Sequence, residues 1–362
     1  MSDIGPIKLA VDCMGGVGGP KMIIEAVAII ARKYPEVFYF LHGSNEILTP
    51  LLEQSALFKN QYEIINSDAV IMDHDKATEA LKSKKNSSMR HIIEDVKAKR
   101  VDAAISAGNT AALMVTSRML LGSLKGIKRP AIACLFPTKG LVGHKSVLLD
   151  MGANINCDEK DLSGFAMMGV VFAKILLDKD NPSVTILNVG AEETKGRELE
   201  QKTYKNLNKF LPNFKGFVEA NEVIFGSSDV IVMDGFSGNI FLKASEGTAK
   251  MLLQQIRKSI QSNFITKICG LILKKHLSRE LSLLDPKEHN GAMFLGMQGI
   301  VVKSHGNADT IAFTKALETA IKLANANIIL KLKEALDDIS LELQNKPLLD
   351  SLKDYFTSSS ST

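Results

Sequence analysis

Three residues of the chain have the chemistry to handle a phosphate anion and a proton: Lys195, Lys303 and His305. Each stands in a glycine-bearing loop just after an apolar run that reads as a strand. A lysine ammonium is a compact charge that stabilises phosphate, and an imidazole exchanges protons near neutral pH. For either residue type alone, a solvated lysine or a hydrogen-bonded structural histidine is the plainer alternative. A second anion-binding pattern is Ser106-Ala-Gly-Asn-Thr110. Gly108 permits close backbone approach, and Ser106, Asn109 and Thr110 add neutral donors. The pattern opens into a helix, whose N-terminus offers free N–H groups and a positive dipole end. The same glycine also suits a tight strand–helix turn with no ligand.

Other chemistries find little support. There is no GxSxG elbow, no HExxH pair and no Walker loop, and Gly15-Gly16-Val17-Gly18-Gly19-Pro20 does not fit a dinucleotide fingerprint. Asp12, Asp150 and Asp234 suit loop capping, and no carboxylate group has metal spacing. The four cysteines, at 13, 134, 157 and 269, are far apart and read as reduced structural thiols. A net charge of +4 gives no ground for a nucleic-acid partner. With 45% hydrophobic and 23% charged residues, the 362-residue chain suits a globular protein with a large core. The N-terminal stretch lacks an apolar signal-peptide core, and no run reaches the ~18 apolar residues of a membrane span, which predicts a cytoplasmic protein.

The elements that position these groups alternate. Six strand-like runs end in glycine-bearing loops: Asp12–Gly19, Ser106–Thr110, Asp150–Asn154, Asn188–Gly196, Asp234–Asn239 and Ser304–Asp309. Most lead directly into helical patterns, such as Ile23, Ile24, Val27, Ile30 and Ala31. Lys139–Gly143 reads as a turn between strands 131–136 and 146–149. The alternation predicts a three-layer α/β/α protein with a largely parallel or mixed central sheet, its loops gathered around a cleft beyond the strand carboxyl ends. Asp234-Gly-Phe-Ser-Gly-Asn239 reads as a loop that breaks the strand Asp229–Met233. A long helix follows it. Leu252, Ile256, Ile260, Phe264, Ile268 and Ile272 recur there every four residues among Lys250, Arg257, Lys258, Lys267, Lys274 and Lys275, and Gly270 marks a bend or loop tip. A basic amphipathic helix can lie on an anionic membrane or receive an acidic carrier protein, and it can equally be a core or dimer-packing helix.

An ordered series of motifs resembles one family. The series is Asp12-Cys-Met-Gly-Gly16, Ser87-Ser-Met89, Ser106–Thr110, Leu148-Leu-Asp-Met-Gly-Ala-Asn154, Asn188-Val-Gly190 with Lys195-Gly196, Asp234–Asn239 and Lys303-Ser-His-Gly306. Over about nine-tenths of its length the chain resembles the bacterial phosphate acyltransferases of the PlsX family, which make acyl phosphate from acyl-[acyl-carrier-protein]. Val17 departs from the usual Asp after MGG, and Ala111 from the usual Gly after SAGNT.

The resemblance implies a fold similar to isocitrate and isopropylmalate dehydrogenases, with intertwined subdomains and no NAD or other cofactor. It implies a homodimer, peripheral association with the membrane, and acyl-[acyl-carrier-protein] and inorganic phosphate as substrates. A glycerol-3-phosphate acyltransferase is implied as consumer of the product. On this reading residues 1–343 form the catalytic domain, 247–284 its basic amphipathic segment, and 344–362 an extension with a polar tail. Lys195 orients phosphate and Asn239 donates to phosphate or to the oxyanion. Ser106, Gly108, Asn109, Thr110, Gly152, Asn154, Gly238 and Lys303 complete the substrate site, and His305 assists proton transfer. A phosphotransacetylase acting on a coenzyme A thioester, a dehydrogenase of similar fold, and a non-catalytic acyl-carrier scaffold are the competing readings.

Overall fold

The computed structural model describes residues 6–344 apart from 56, 58, 139–143, 283 and 284. The turn expected at Lys139–Gly143 and the extension after residue 344 lie outside the described residues. The chain runs β1 (Lys8–Asp12), α1 (Gly19–Lys33), β2 (Phe38–Gly43), α2 (Asn45–Glu53), β3 (Tyr62–Asn66), α3 (Ala77–Ser83), α4 (Ser88–Lys97), β4 (Ala103–Ser106) and α5 (Thr110–Leu121). Next come β5 (Ala131–Pro137), β6 (Lys145–Leu149), α6 (Glu159–Leu176), β7 (Val184–Asn188), α7 (Glu198–Phe210), β8 (Phe214–Glu219), α8 (Ala220–Val223) and β9 (Val230–Val232). It closes with α9 (Gly235–Ile260), α10 (Phe264–Ser282), β10 (Ala292–Leu295), β11 (Ile300–Lys303), α11 (Thr310–Asn325) and α12 (Ile328–Gln344).

All the described strands join one sheet, in the order β3-β2-β1-β4-β11-β10-β5-β6-β9-β7-β8. Pairing is parallel except at β11–β10, β10–β5 and β5–β6. The expected three-layer α/β/α fold with a largely parallel sheet is therefore what the chain forms. Side chains alternate across it. Leu9, Val11, Val230 and Val232 face a core shared with α1, α6, α11 and α12. Ala10, Ala104, Leu148 and Ile231 face the one built by α4 and α5. Of the stripe on α1, Ile23, Val27 and Ile30 are essentially inaccessible, each contributing about 1.5–3 kcal/mol by burial.

The three antiparallel steps set the geometry of everything that follows. They reverse β6, β9, β7 and β8 relative to β1, β4 and β11. Lys303 stands opposite Ala292, Met293 opposite Ala133, and Cys134 opposite Leu148. The carboxyl ends of β11 and β6 thus arrive from opposite directions level with the middle of β5. The loops do not crown one parallel sheet, as the simple alternation suggests. They come from two half-sheets whose carboxyl ends meet at a seam.

Two local expectations are corrected. Asp234–Asn239 is not a loop: α9 begins at Gly235, capped by Asp234 accepting from the Ser237 N–H at 2.7 Å. Its glycines serve close packing instead. A Cβ at Gly238 would collide with the Asp150 carbonyl oxygen, and one at Gly235 would lie 2.8 Å from Asn154 backbone atoms. The long helix also breaks earlier than Gly270. It ends at Ile260, and Asn263 accepts from the Thr266 N–H at 2.9 Å where α10 starts. Gly270 lies inside α10 and lets it approach Ile260 closely, so α9 and α10 pack as a helical hairpin.

Candidate active site

A cavity of about 730 Å³ opens at the seam. That volume is ordinary for a small-molecule site, which spans roughly 300–1,000 Å³. Its polar groups include Thr110 at the start of α5, Asn221 on α8, Asn239, Lys243 and Glu246 on α9, Asn290 before β10, and Lys303 and His305 at the end of β11. Its apolar walls are Ile132, Leu135 and Phe136 of β5, Met151, and Phe241, Leu242 and Leu252 of α9. The Phe136 and Phe241 rings pack with centroids 5.5 Å apart. Cys134 also lines the cavity, but burial pushes its thiol up to about 12, so it is not a thiolate nucleophile at neutral pH.

Lys303 pairs in register with Ser106, which sets its ammonium beside the loop entering α5. Its Nζ donates to the carbonyl oxygens of Ala107, at 3.3 Å, and Ser304. Burial lowers its pKa to about 8, against the opposing pull of Asp73 and Asp12. Asp12 is itself tied to two hydroxyls, accepting from Ser106 Oγ at 2.6 Å and from Ser88 Oγ at 2.7 Å. The Ser106 hydroxyl thus braces the loop, and it also accepts from the Gly108 N–H at 3.0 Å. Asn109 is committed too. Its Oδ1 caps α5 at the Ala112 N–H, and its Nδ2 donates to the carbonyls of Met72, Asp73 and Asp75. Of the four residues expected from this loop, Thr110 reaches the cavity; Ser106, Gly108 and Asn109 shape the backbone that presents it.

His305 is held from both sides. Its backbone N–H donates to Asn290 Oδ1 at 3.0 Å, while Asn290 Nδ2 donates to Ser304 Oγ and the Ala312 carbonyl. Its Nε2 lies 3.2 Å from Glu246 Oε1, and Lys243 Nζ donates to Glu246 Oε2 at 3.1 Å. Burial lowers the imidazole pKa, and Glu246 pulls it back up. Across the cavity, Gly152 has φ of +128° and sits against the Asn239 side chain. Asp150 builds this turn, accepting from the N–H groups of Ile132, Gly152, Ala153 and Asn154. Burial raises its pKa. Asn154 donates to Pro130 O and Asp150 Oδ2, so it and Gly238 pack behind the site rather than lining it. Among the described residues the Asn239 side chain makes no hydrogen bond, which leaves its donors for a ligand.

Lys195 is the expected site residue that stands apart. It is exposed on the loop after β7, where its N–H donates to the Glu192 carbonyl, and it does not line the cavity. Lys243, Glu246 and Asn290 were not anticipated. Asn239, Lys243 and Glu246 follow i, i+4, i+7 spacing, a helical face that the loop reading of Asp234–Asn239 concealed. Among the described residues, no cluster of three or more His, Cys, Asp or Glu is placed to hold a metal.

Residues 7–331 match the model of a family described as fatty acid synthesis protein. The phosphate acyltransferase of Magnetococcus marinus is 39% identical over 335 residues, covering 91% of this chain and 95% of that one. The chain belongs to the phosphate acyltransferase family. A second member, from Bordetella petrii, is 41% identical over 315 residues, covering 87% of this chain and 88% of that one. Among solved structures, a phosphotransacetylase from Streptococcus pyogenes shares the fold at 16% identity and a TM-score of 0.58, covering 88% and 94% of the two chains. A 4-hydroxythreonine-4-phosphate dehydrogenase from Klebsiella pneumoniae shares it at 12% identity and 0.53, covering 88% and 99%.

The hydrophobic stripe divides between two environments. Leu252 borders the cavity, and Ile256 and Ile260 are half-buried along α9. Phe264, Ile268 and Ile272 on α10 are exposed, at 77%, 43% and 74%. No helix among the described residues is long and apolar enough to cross a membrane.

Proposed function

We propose that the protein transfers the acyl group of acyl-[acyl-carrier-protein] to inorganic phosphate, giving acyl phosphate and free carrier for phospholipid synthesis. The observation that carries this reading is one cavity that joins an anion-binding corner to apolar walls. Lys303 and the first N–H groups of α5 hold phosphate, with the Thr110 side chain beside them. The walls formed by Phe136, Phe241, Leu242 and Leu252 take the acyl chain. The thioester carbonyl then lies between them, where Asn239 donates to the oxyanion.

Phosphate is already an anionic nucleophile at neutral pH. Catalysis therefore rests on holding it against the carbonyl and stabilising the tetrahedral charge, and it needs no covalent intermediate. In this reading Lys303 replaces Lys195 as the principal phosphate ligand, because Lys303 lines the cavity beside the start of α5 and Lys195 does not reach it. The exposed apolar and basic residues of the α9–α10 hairpin support peripheral attachment to an anionic membrane from the cytoplasm. A homodimer, and a glycerol-3-phosphate acyltransferase that takes up the acyl phosphate, complete the proposal.

Mass spectrometry of acyl-[acyl-carrier-protein] incubated with phosphate and pure protein tests it. Acyl phosphate formed with release of free carrier is the expected result. Absence of acyl phosphate under conditions where a relative is active would overturn the reading. Equal or faster turnover of acyl-coenzyme A would favour a phosphotransacetylase instead.

A further inference from the structure

The stoichiometry of the transfer demands a proton path. Hydrogen phosphate dianion attacks the thioester carbonyl; a C–O bond forms and the C–S bond breaks. The products at neutral pH are an acyl phosphate dianion and a thiol. The one proton of the phosphate must therefore end on sulfur, with no oxidation or reduction. This demand rests on the acyl-transfer reading of the cavity given above.

We infer that Glu246 and His305 form the proton relay of this transfer, with His305 carrying the proton from phosphate to the departing sulfur and Glu246 acting as its positioning residue. The geometry supplies each part. His305 follows Lys303 by two residues, so its ring borders the same corner as the proposed phosphate. Its backbone is pinned by Asn290, which fixes where the ring stands. Glu246 Oε1 is buried 3.2 Å from Nε2 and, among the described residues, makes no hydrogen bond, to His305 or to any other group. A small rotation of the ring lets this free oxygen accept the Nε2–H, which leaves Nδ1 with the lone pair of the neutral tautomer. When Nδ1 takes the phosphate proton, the same carboxylate stabilises the imidazolium. A carboxylate this close, once hydrogen-bonded to the ring, orients a histidine base.

The charged groups around the ring set its resting state. Glu246, Lys243 and Lys250 face it from α9 and Lys303 from β11, and His289 borders the cavity from the segment before β10. Burial and the three lysines favour the neutral imidazole, and Glu246 alone opposes them. A neutral ring at physiological pH is the state that can accept the proton. Lys243 holds the other oxygen of Glu246, which keeps the carboxylate aimed.

The test uses the full-length protein and four forms: wild type, Glu246→Gln, Glu246→Asp and His305→Asn. Glu246→Gln is expected to lower kcat about tenfold or more, and His305→Asn about a hundredfold or more, within the range of general acid–base catalysis. The KM for phosphate should stay within about threefold in Glu246→Gln. Glu246→Asp should recover part of the lost kcat. The imidazole signal of His305, identified by its absence from His305→Asn in NMR spectra of the unliganded protein, should titrate at lower pH in Glu246→Gln. An unchanged titration, or a loss expressed wholly as a raised phosphate KM, overturns the relay. Wild-type protein that forms no acyl phosphate overturns the acyl-transfer reading itself, which keeps the two failures distinct.

Discussion

Lys195 and Lys303 are close equivalents in sequence and opposites in structure. Each stands at or just beyond the carboxyl end of a strand, with glycine nearby. Lys303 ends β11, the strand beside the reversed β10–β5 pair, and its ammonium is buried enough to be pushed to about 8. Lys195 follows β7, one strand from the far edge of the other half-sheet, and is solvent-exposed. The difference lies in where each loop leads. The end of β11 runs into the shared cavity, whereas the loop after β7 stays outside it. A charged residue in the cavity loses water and gains leverage over a bound anion, whereas the same residue near the edge keeps its hydration.

The sharpest way to break this contrast is to remove each lysine in turn. Lys303→Met should cut kcat/KM for phosphate about 10³-fold, as for loss of a key electrostatic contact, while Lys195→Met should change it within about threefold. Equal losses would abolish the distinction. Asn239→Ala should lower kcat about 10²-fold with little change in the far-ultraviolet circular dichroism, since its side chain has no structural partner among the described residues. The pH dependence carries the contrast further. Lys303 is charged below its pKa of about 8 and neutral above it, so kcat/KM for phosphate should fall as pH rises through 8. An ordinary exposed lysine would hold its charge for about two further pH units. A profile flat up to pH 10 would mean that Lys303 does not carry the anion.

Smaller effects test the frame around the site. Gly238→Ala should cost about 1–3 kcal/mol in denaturant unfolding, because the new methyl group meets the Asp150 carbonyl. A loss below about 0.5 kcal/mol would return Gly238 to an ordinary helical position. The mildest change lies farthest from the chemistry. Phe264→Glu or Ile268→Glu should weaken sedimentation with anionic vesicles several-fold and leave turnover of soluble substrate intact. Unchanged sedimentation would detach the hairpin from the membrane proposal.

Local patterns made much of this fold readable, because apolar runs of period 2 and 3.6 respond to which face is buried. The strand reading missed β10, where Ala292-Met-Phe-Leu295 is only four residues long between Gly291 and Gly296. That omission hid the seam, since strand direction depends on long-range pairing that no local pattern encodes. The glycines of Asp234–Asn239 misled for a related reason. A glycine signals close approach as readily as a turn, and only the packing of α9 on the Asp150 turn decides between them. Once that stretch is a helix, Asn239, Lys243 and Glu246 fall on one face. The corner formed by Thr110, Lys303 and His305 was anticipated because each residue sits at a strand end, the region where α/β sheets place ligands.

The late arrival of β10 and β11 has a consequence for how the molecule is made. A ribosome delivers β1 to β4 and then β5 to β9, and the strands that join β4 to β5 in the sheet emerge only with residues 292–303. Until then β4 and β5 are open edges, each able to recruit a strand from another chain. The last hairpin joins those edges and brings Lys303 and His305 with it. Closure of the sheet and completion of this corner of the cavity are one event, so a nascent chain stopped short of this hairpin has neither a sealed sheet nor the proposed place for phosphate.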